Sequence, residues 1–348
     1  MLLKFKRLTG LAAGLGLAAG LGLASSSAVA ADVTLRMHHF LPPQANVPKL
    51  VLDVWADKVE KASDKRIKVR RYPSMQLGGK PPELMDQAKD GVADIVWTVV
   101  GYTPGRFPRT EVFELPFMMT NAEATSRAYW ELFKSDMEQT EFKDLKILGT
   151  WVHGPGLIHS SKPVTVPADL AGVKIRGGSR IVNQLLEKLG ATPVGMPVPA
   201  VSEALSKGVI DATTIPWEVT AALKVPELVS NHTEFGDETL YTLTFVLAMN
   251  KAKYDGLPAD LKKVIDDNSG MEFSAFAGKT MEASDGPARA KAVKRGNNIV
   301  QLDAAQVDQW RKASMPIYDE WMASMKSQGI DGKALVEKAQ SLIKKHSK

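Results

Sequence analysis

Apolar positions along the chain switch between a period near 2 and a period near 3.6, and their succession predicts repeated β-α-β units. Residues 32–40 form a partly alternating strand that Leu41-Pro42-Pro43 ends. Residues 47–63 carry Leu50, Val54, Val59 and Ala62 along one helical stripe, and 66–72 alternates Ile67, Val69 and Arg71 as a strand. That order implies parallel strands joined by right-handed crossovers. A second helix starts at Pro81, which suits a first helical turn, and stops near Gly91. Residues 94–100 are nearly all apolar, as in a strand buried on both faces, and 101–108 make the loop at its carboxyl end. A helix over 121–136 and a strand over 146–152 follow.

The pattern then repeats. After the punctuated stretch 162–167, residues 173–175 make a short strand with Arg176 at its end. Gly177 and Gly178 break it, and 181–189 has helical spacing. A strand over 192–198, a helix over 199–207 closed by Gly208, and a strand over 209–215 complete the unit. A helix over 219–224 leads to 227–235, and 241–250 is a long strand suited to a return crossover. Charged amphipathic helices occupy 254–348, interrupted by a strand at 298–302. The expected fold is α/β in two lobes with a ligand cleft between them: 31–153 with 241–280, and 154–240 with 281–320, followed by a helical segment 321–348. The first crossing lies near 153–156.

The N-terminus changes the domain count. Lys4, Lys6 and Arg7 precede an Ala/Leu/Gly run over 11–23 and the A-x-A site Ala28-Val29-Ala30. This reads as a signal peptide, residues 1–30, cleaved after Ala30 on export to a bacterial periplasm. Its loss takes the formal net charge from +5 to +2, too mild and dispersed for a nucleic-acid partner. Zero cysteines exclude disulfides and thiolate chemistry, so the remaining chain depends on its core.

An arginine at a strand's carboxyl end, beside Gly-rich turns, stands where open α/β sheets place ligand groups, and its planar fork matches a carboxylate. The alternative for Arg176 is a surface pair with Asp169 or Glu187. The wording around it, GVKIR from 172, LGATPV from 189, EAL from 203 and KGVIDA from 207, together with MQLGG (75–79), DGVADI (90–95) and VFELPF (112–117), resembles the DctP-type solute-binding proteins of tripartite ATP-independent periplasmic (TRAP) transporters. The resemblance spans nearly the whole chain after the leader. It implies a two-lobed periplasmic binding-protein fold with multiple hinge crossovers, no catalysis and no cofactor. It further implies delivery of an organic acid to integral membrane TRAP permease subunits, with Arg176 as the carboxylate clamp.

Where many relatives that bind sugar acids carry a second arginine, this chain has Gly156. Phe40, Trp97, Val99, Tyr102 and Ile215, the last followed by Pro216 and Trp217, likewise stand where polar groups are common in them. One clamp against aromatic surroundings points to a monocarboxylate with an aromatic body, such as a benzoate or hydroxybenzoate. A sugar acid, a 2-oxo or hydroxy acid and a C4-dicarboxylate are the alternatives. Trp97, Trp151 and Trp217 are ring-stacking candidates, their alternative being core residues. His39 is a candidate donor to the ligand, His153 a candidate second carboxylate donor, and Tyr102 a hydroxyl partner for a ring substituent. Adjacent His38 and His39 point to opposite faces of a strand and so do not share a metal ion. Glu218 is either a partner of a clamp arginine or an exposed turn acid. A periplasmic sensing partner would use the same cleft; an enzyme is the alternative class, although no G-x-S-x-G, H-E-x-x-H, P-loop or strand-borne G-x-G-x-x-G motif is present.

Overall fold

The computed structural model describes residues 33–347, so the predicted leader lies outside the described residues. Eleven strands are found among them: β1 (Val33–His38), β2 (Ile67–Tyr72), β3 (Ile95–Val99), β4 (Leu145–Val152), β5 (Leu157–Ser160), β6 (Lys174–Gly177), β7 (Thr192–Gly195), β8 (Ala212–Ile215), β9 (Asn231–Glu234), β10 (Thr244–Asn250) and β11 (Asn298–Gln301). They form a five-stranded sheet ordered β2-β1-β3-β10-β4 and a six-stranded sheet ordered β11-β9-β5-β8-β6-β7.

The β-α-β units pair as the sequence pattern expects: β1 is parallel to β2 and β3, and β6 to β7 and β8. The crossing strands depart from it. β10 enters from the other half and runs antiparallel to β3 and β4, while β5 runs antiparallel to β8 and β9. Strand β5 was not expected, because Gly154, Pro155 and Gly156 mask its start. Edge strand β7 tolerates Pro193, whose missing N–H would break a central ladder. The expected helix 47–63 is divided, with a π turn at Pro48–Leu52 before the α-helix Asp53–Ala62.

Helices Ala122–Leu132 and Met271–Ala283 cover β4 at close range. Gly149 on β4 lets the Phe273 ring lie where a Cβ would fall 2.6 Å from it. Ser274 Oγ and Ser126 Oγ accept from the backbone N–H groups of Thr150 and Val152 at 3.0 and 3.1 Å. The C-terminal helix Gly332–His346 buries Leu335, Ala339 and Ile343 and holds Glu131 through Lys345. Arg180, on the helix Arg180–Lys188 beside the second sheet, pairs through two nitrogens with Glu111 from the first half, and Trp321 Nε1 donates to the same carboxylate at 3.1 Å. Among the described residues no helix is long and apolar enough to cross a membrane.

Candidate functional site

Between the two halves lies a pocket of about 370 Å³ of space not filled by atoms, part of it open to solvent. One wall is a ladder of rings. Phe40 stacks on Trp97 with centroids 4.6 Å apart, Trp97 on Phe245 at 5.6 Å, and Phe245 on Trp151 at 6.2 Å, all within 23° of parallel. Sheet register makes the ladder: Phe245 on β10 is directly opposite Trp151 on β4, and Trp97 on β3 pairs with Leu247, two residues along. Aromatic side chains reach such direct and diagonal neighbours. Phe40, Trp97 and Phe245 face the cavity; Trp151 closes the ladder from behind, fully buried, with Nε1 directed at Met281 Sδ.

Arg176 lies across from this wall on β6, between Val194 of β7 and Thr213 of β8, and is 1% exposed. Its Nε donates to Met196 O and its Nη1 to Thr214 O, both at 2.9 Å. Nη2 makes no hydrogen bond, and Arg176 forms no ion pair among the described residues. Gly178 makes this position possible, since a Cβ there would stand 3.0 Å from both Nη atoms and 2.6 Å from Leu243. Two neutral carbonyls orient the guanidinium without neutralising it, and a buried cation lacking a counter-ion is a costly arrangement that an anion relieves.

Tyr102 and Tyr241 bring hydroxyls to the same cavity. Tyr102 Oη accepts from Val198 N–H at 2.9 Å, which leaves its own proton to donate. Tyr241 is 1% exposed and its Oη makes no hydrogen bond. Burial raises both phenols, and the Arg176 charge works against that rise in each. The ring of Tyr241 lies against Gly156: a Cβ on that glycine would fall 2.2 Å from Cε1.

Of the residues singled out in sequence, Arg176, Phe40, Trp97, Tyr102, His153 and Ile215 line the cavity. His153 has no donor left for a carboxylate. Its Nε2 accepts from Leu243 N–H at 3.1 Å, so the proton is on Nδ1, which faces Gly154 O. Burial lowers its pKa to about 4 and keeps it neutral. His39 is elsewhere, edge-on to Trp97 at 6.2 Å and facing a separate cleft with Asp53, Asp57 and Arg71. His38 points away from it, contacting Gln87 and accepting from Leu77 N–H. Trp217 is outside the cavity as well: its ring packs on His159 and His232, and Nε1 donates to Glu234 at 2.8 Å.

Sequence reading missed Tyr241, Leu243, Phe245 and Met281, which reach the cavity from segments far along the chain. It also placed Glu218 at the surface or against the clamp. Glu218 is 4% exposed and lines the cavity, with its N–H donating to Asp285 Oδ1 at 2.7 Å and its carbonyl accepting from Asn46 Nδ2 at 2.8 Å. Burial, then the neighbouring Asp285 carboxylate, push the Glu218 carboxyl up to about 8.

Residues 37–325 match the family described as bacterial extracellular solute-binding protein, family 7, DctP. The chain belongs to this family. A TRAP solute-binding protein from Rhodoferax ferrireducens T118, solved with copurified benzoate, is 50% identical; the match covers 90% of this chain and 98% of that one at a TM-score of 0.89. A marine metagenome TRAP protein described as specific for aromatic acid ligands, solved with 3-hydroxybenzoate, is 46% identical over 90% of this chain and 99% of that one, at a TM-score of 0.88. The C4-dicarboxylate-binding periplasmic protein DctP of Rhodobacter capsulatus is 26% identical over 300 residues, 84% of this chain and 87% of that protein. The fold is that of a two-lobed TRAP solute-binding protein, and the protein is a TRAP solute receptor: it binds a small organic acid and works with a TRAP permease.

Proposed function

We propose that this receptor takes up an aromatic monocarboxylate, benzoate or a hydroxybenzoate, in the bacterial periplasm, with Arg176 as the carboxylate clamp, and passes it to the membrane permease. The observation that carries the reading is the unpartnered Arg176 Nη2, buried in a cavity walled by Phe40, Trp97 and Phe245. A carboxylate would meet Nη2 and the proton-bearing hydroxyls of Tyr102 and Tyr241, while a planar ring would lie against the ladder. The receptor's likeness to proteins solved with benzoate and 3-hydroxybenzoate supports the same ligand class. A C4-dicarboxylate is less well matched: among the described residues the lining has one arginine or lysine, Arg176, and its acid, Glu218, is kept protonated by burial, so a second carboxylate would meet no cation of its own.

Calorimetric titration of the protein without its leader against benzoate, 3-hydroxybenzoate, succinate and a sugar acid tests this. Binding confined to the aromatic acids, abolished in Arg176→Ala with native circular dichroism, is the expected result. Binding of succinate alone, or unchanged benzoate affinity in a folded Arg176→Ala protein, overturns it.

A further inference from the structure

Glu218 leaves one carboxyl oxygen, Oε2, without any hydrogen bond although the residue is buried in the cavity wall. Its backbone is gripped from two sides, by Asn46 of the first half and by Asp285 at the start of the helix Asp285–Lys294, so the side chain starts from a fixed base. The backbone N–H of Glu218 favours the charged form of Asp285 and the Asn46 side chain that of Glu218, but burial outweighs both and raises the two acids alike. Burial thus keeps Glu218, a residue of the cavity wall, in its neutral acid form up to about 8. It forms no ion pair with Arg176, although both line the same space. Glu218 also borders an outer groove lined by Asn46, Lys279 and Lys291, and so forms part of the partition between that groove and the inner cavity. A buried polar atom that the protein leaves unsatisfied is a place for a ligand group.

We infer that Glu218 is the residue that selects for a hydroxyl on the ligand's ring, its carboxyl exchanging a hydrogen bond with that hydroxyl while Arg176 holds the carboxylate. This rests on the aromatic-acid reading above and refines it. A neutral carboxylic acid can both donate to and accept from a phenol, so it recognises a hydroxyl without adding a negative charge to a site that takes an anion. A site built around such a bond penalises the analogue that lacks the hydroxyl, because its polar group is then left unpaired.

The test is a set of dissociation constants for benzoate, 3-hydroxybenzoate and 4-hydroxybenzoate with the wild type, Glu218→Leu and Glu218→Gln. In the wild type at least one hydroxybenzoate is expected to bind roughly tenfold tighter than benzoate. Glu218→Leu should erase that preference, read as the ratio of the benzoate and hydroxybenzoate dissociation constants of the variant itself, and Glu218→Gln, which keeps a donor and an acceptor, should retain most of it. Glu218→Gln also serves if the leucine variant does not fold: a preference lost in Glu218→Gln counts against the inference. Equal preference in the wild type and Glu218→Leu, or no preference in the wild type while benzoate binds, overturns the inference and leaves the aromatic-acid reading standing. Failure of all three acids to bind the wild type overturns both.

Discussion

Gly156 and Tyr241 occupy one volume between them: the tyrosine ring fills the space that any side chain at 156 would need, 2.2 Å from where its Cβ would be. The glycine backbone is also tied to the tyrosine, Gly156 N–H donating to Tyr241 O at 2.9 Å. The space beside Gly156 is thus held by a phenol from the segment before β10. Gly156→Ala should drive the ring out of place, costing about 1–3 kcal/mol in thermal unfolding, as overpacking does, and weakening benzoate at least tenfold. A variant with wild-type melting and affinity would mean that the ring moves aside at no cost.

Tyr241→Phe separates the ring from its hydroxyl. The buried Oη makes no bond in the protein, so removing it should leave stability unchanged or slightly raised. If the hydroxyl donates to the ligand's carboxylate, affinity should fall by about tenfold, since hydrogen bonds to charged groups are worth ~1.5–3 kcal/mol. Calorimetry and thermal melting on the same sample give both numbers, and undiminished affinity removes Tyr241 from the clamp.

Arg176→Lys keeps the charge and loses the fork. Two of the three guanidinium nitrogens are spent on Met196 O and Thr214 O, and only the rigid geometry leaves the third for a ligand. A lysine ammonium cannot reproduce that division, so benzoate affinity should drop by roughly a hundredfold with the fold retained. Restoration of near wild-type affinity by lysine would show that charge alone suffices.

Trp217→Phe should act on stability and spare the ligand. Its indole N–H holds Glu234, which Arg289 also pairs, and its ring is packed by His159 and His232 away from the cavity. A fall in melting temperature with dissociation constants for aromatic acids unchanged within about twofold is expected. A selective loss of aromatic over aliphatic acids would place this ring in the binding site after all.

The buried acids predict a falling stability with rising pH. In the unfolded chain Glu218 ionises in the ordinary carboxylate range, whereas in the fold it holds its proton to about 8. Between those values the folded state binds more protons than the unfolded one, so stability is lost as pH rises through that window. Asp285, raised by burial and by Glu282 and Glu234, works in the same direction. From about pH 5 to about pH 8 the melting temperature of Glu218→Gln should therefore rise relative to that of the wild type, a difference that the buried histidines common to both do not affect. A constant difference would show that Glu218 is already charged in the fold.

The succession of strands and helices was readable from the chain because periodicity, glycine and proline act within a few residues. Arg176 could be found in the same way: a short apolar strand, an arginine at its end and two glycines after it are a local pattern. The family wording then narrowed what the arginine faces. Local pattern could not assign the aromatic residues, since strands such as β3 and β10 are buried on both faces and every position reads alike. Which rings meet the cavity depends on pairing between strands far apart in the chain, as when β10 brings Phe245 between Trp97 and Trp151. Glu218 shows the same limit: its charge and turn position suggest solvent, and only the packing of Asn46 and Asp285 around it makes it a buried acid. The sequence by itself determined the β-α-β units and the arginine at a strand's end, because these depend on neighbours in the chain. The tertiary structure alone decided which rings, hydroxyls and acid surround that arginine, because those neighbours are made by folding.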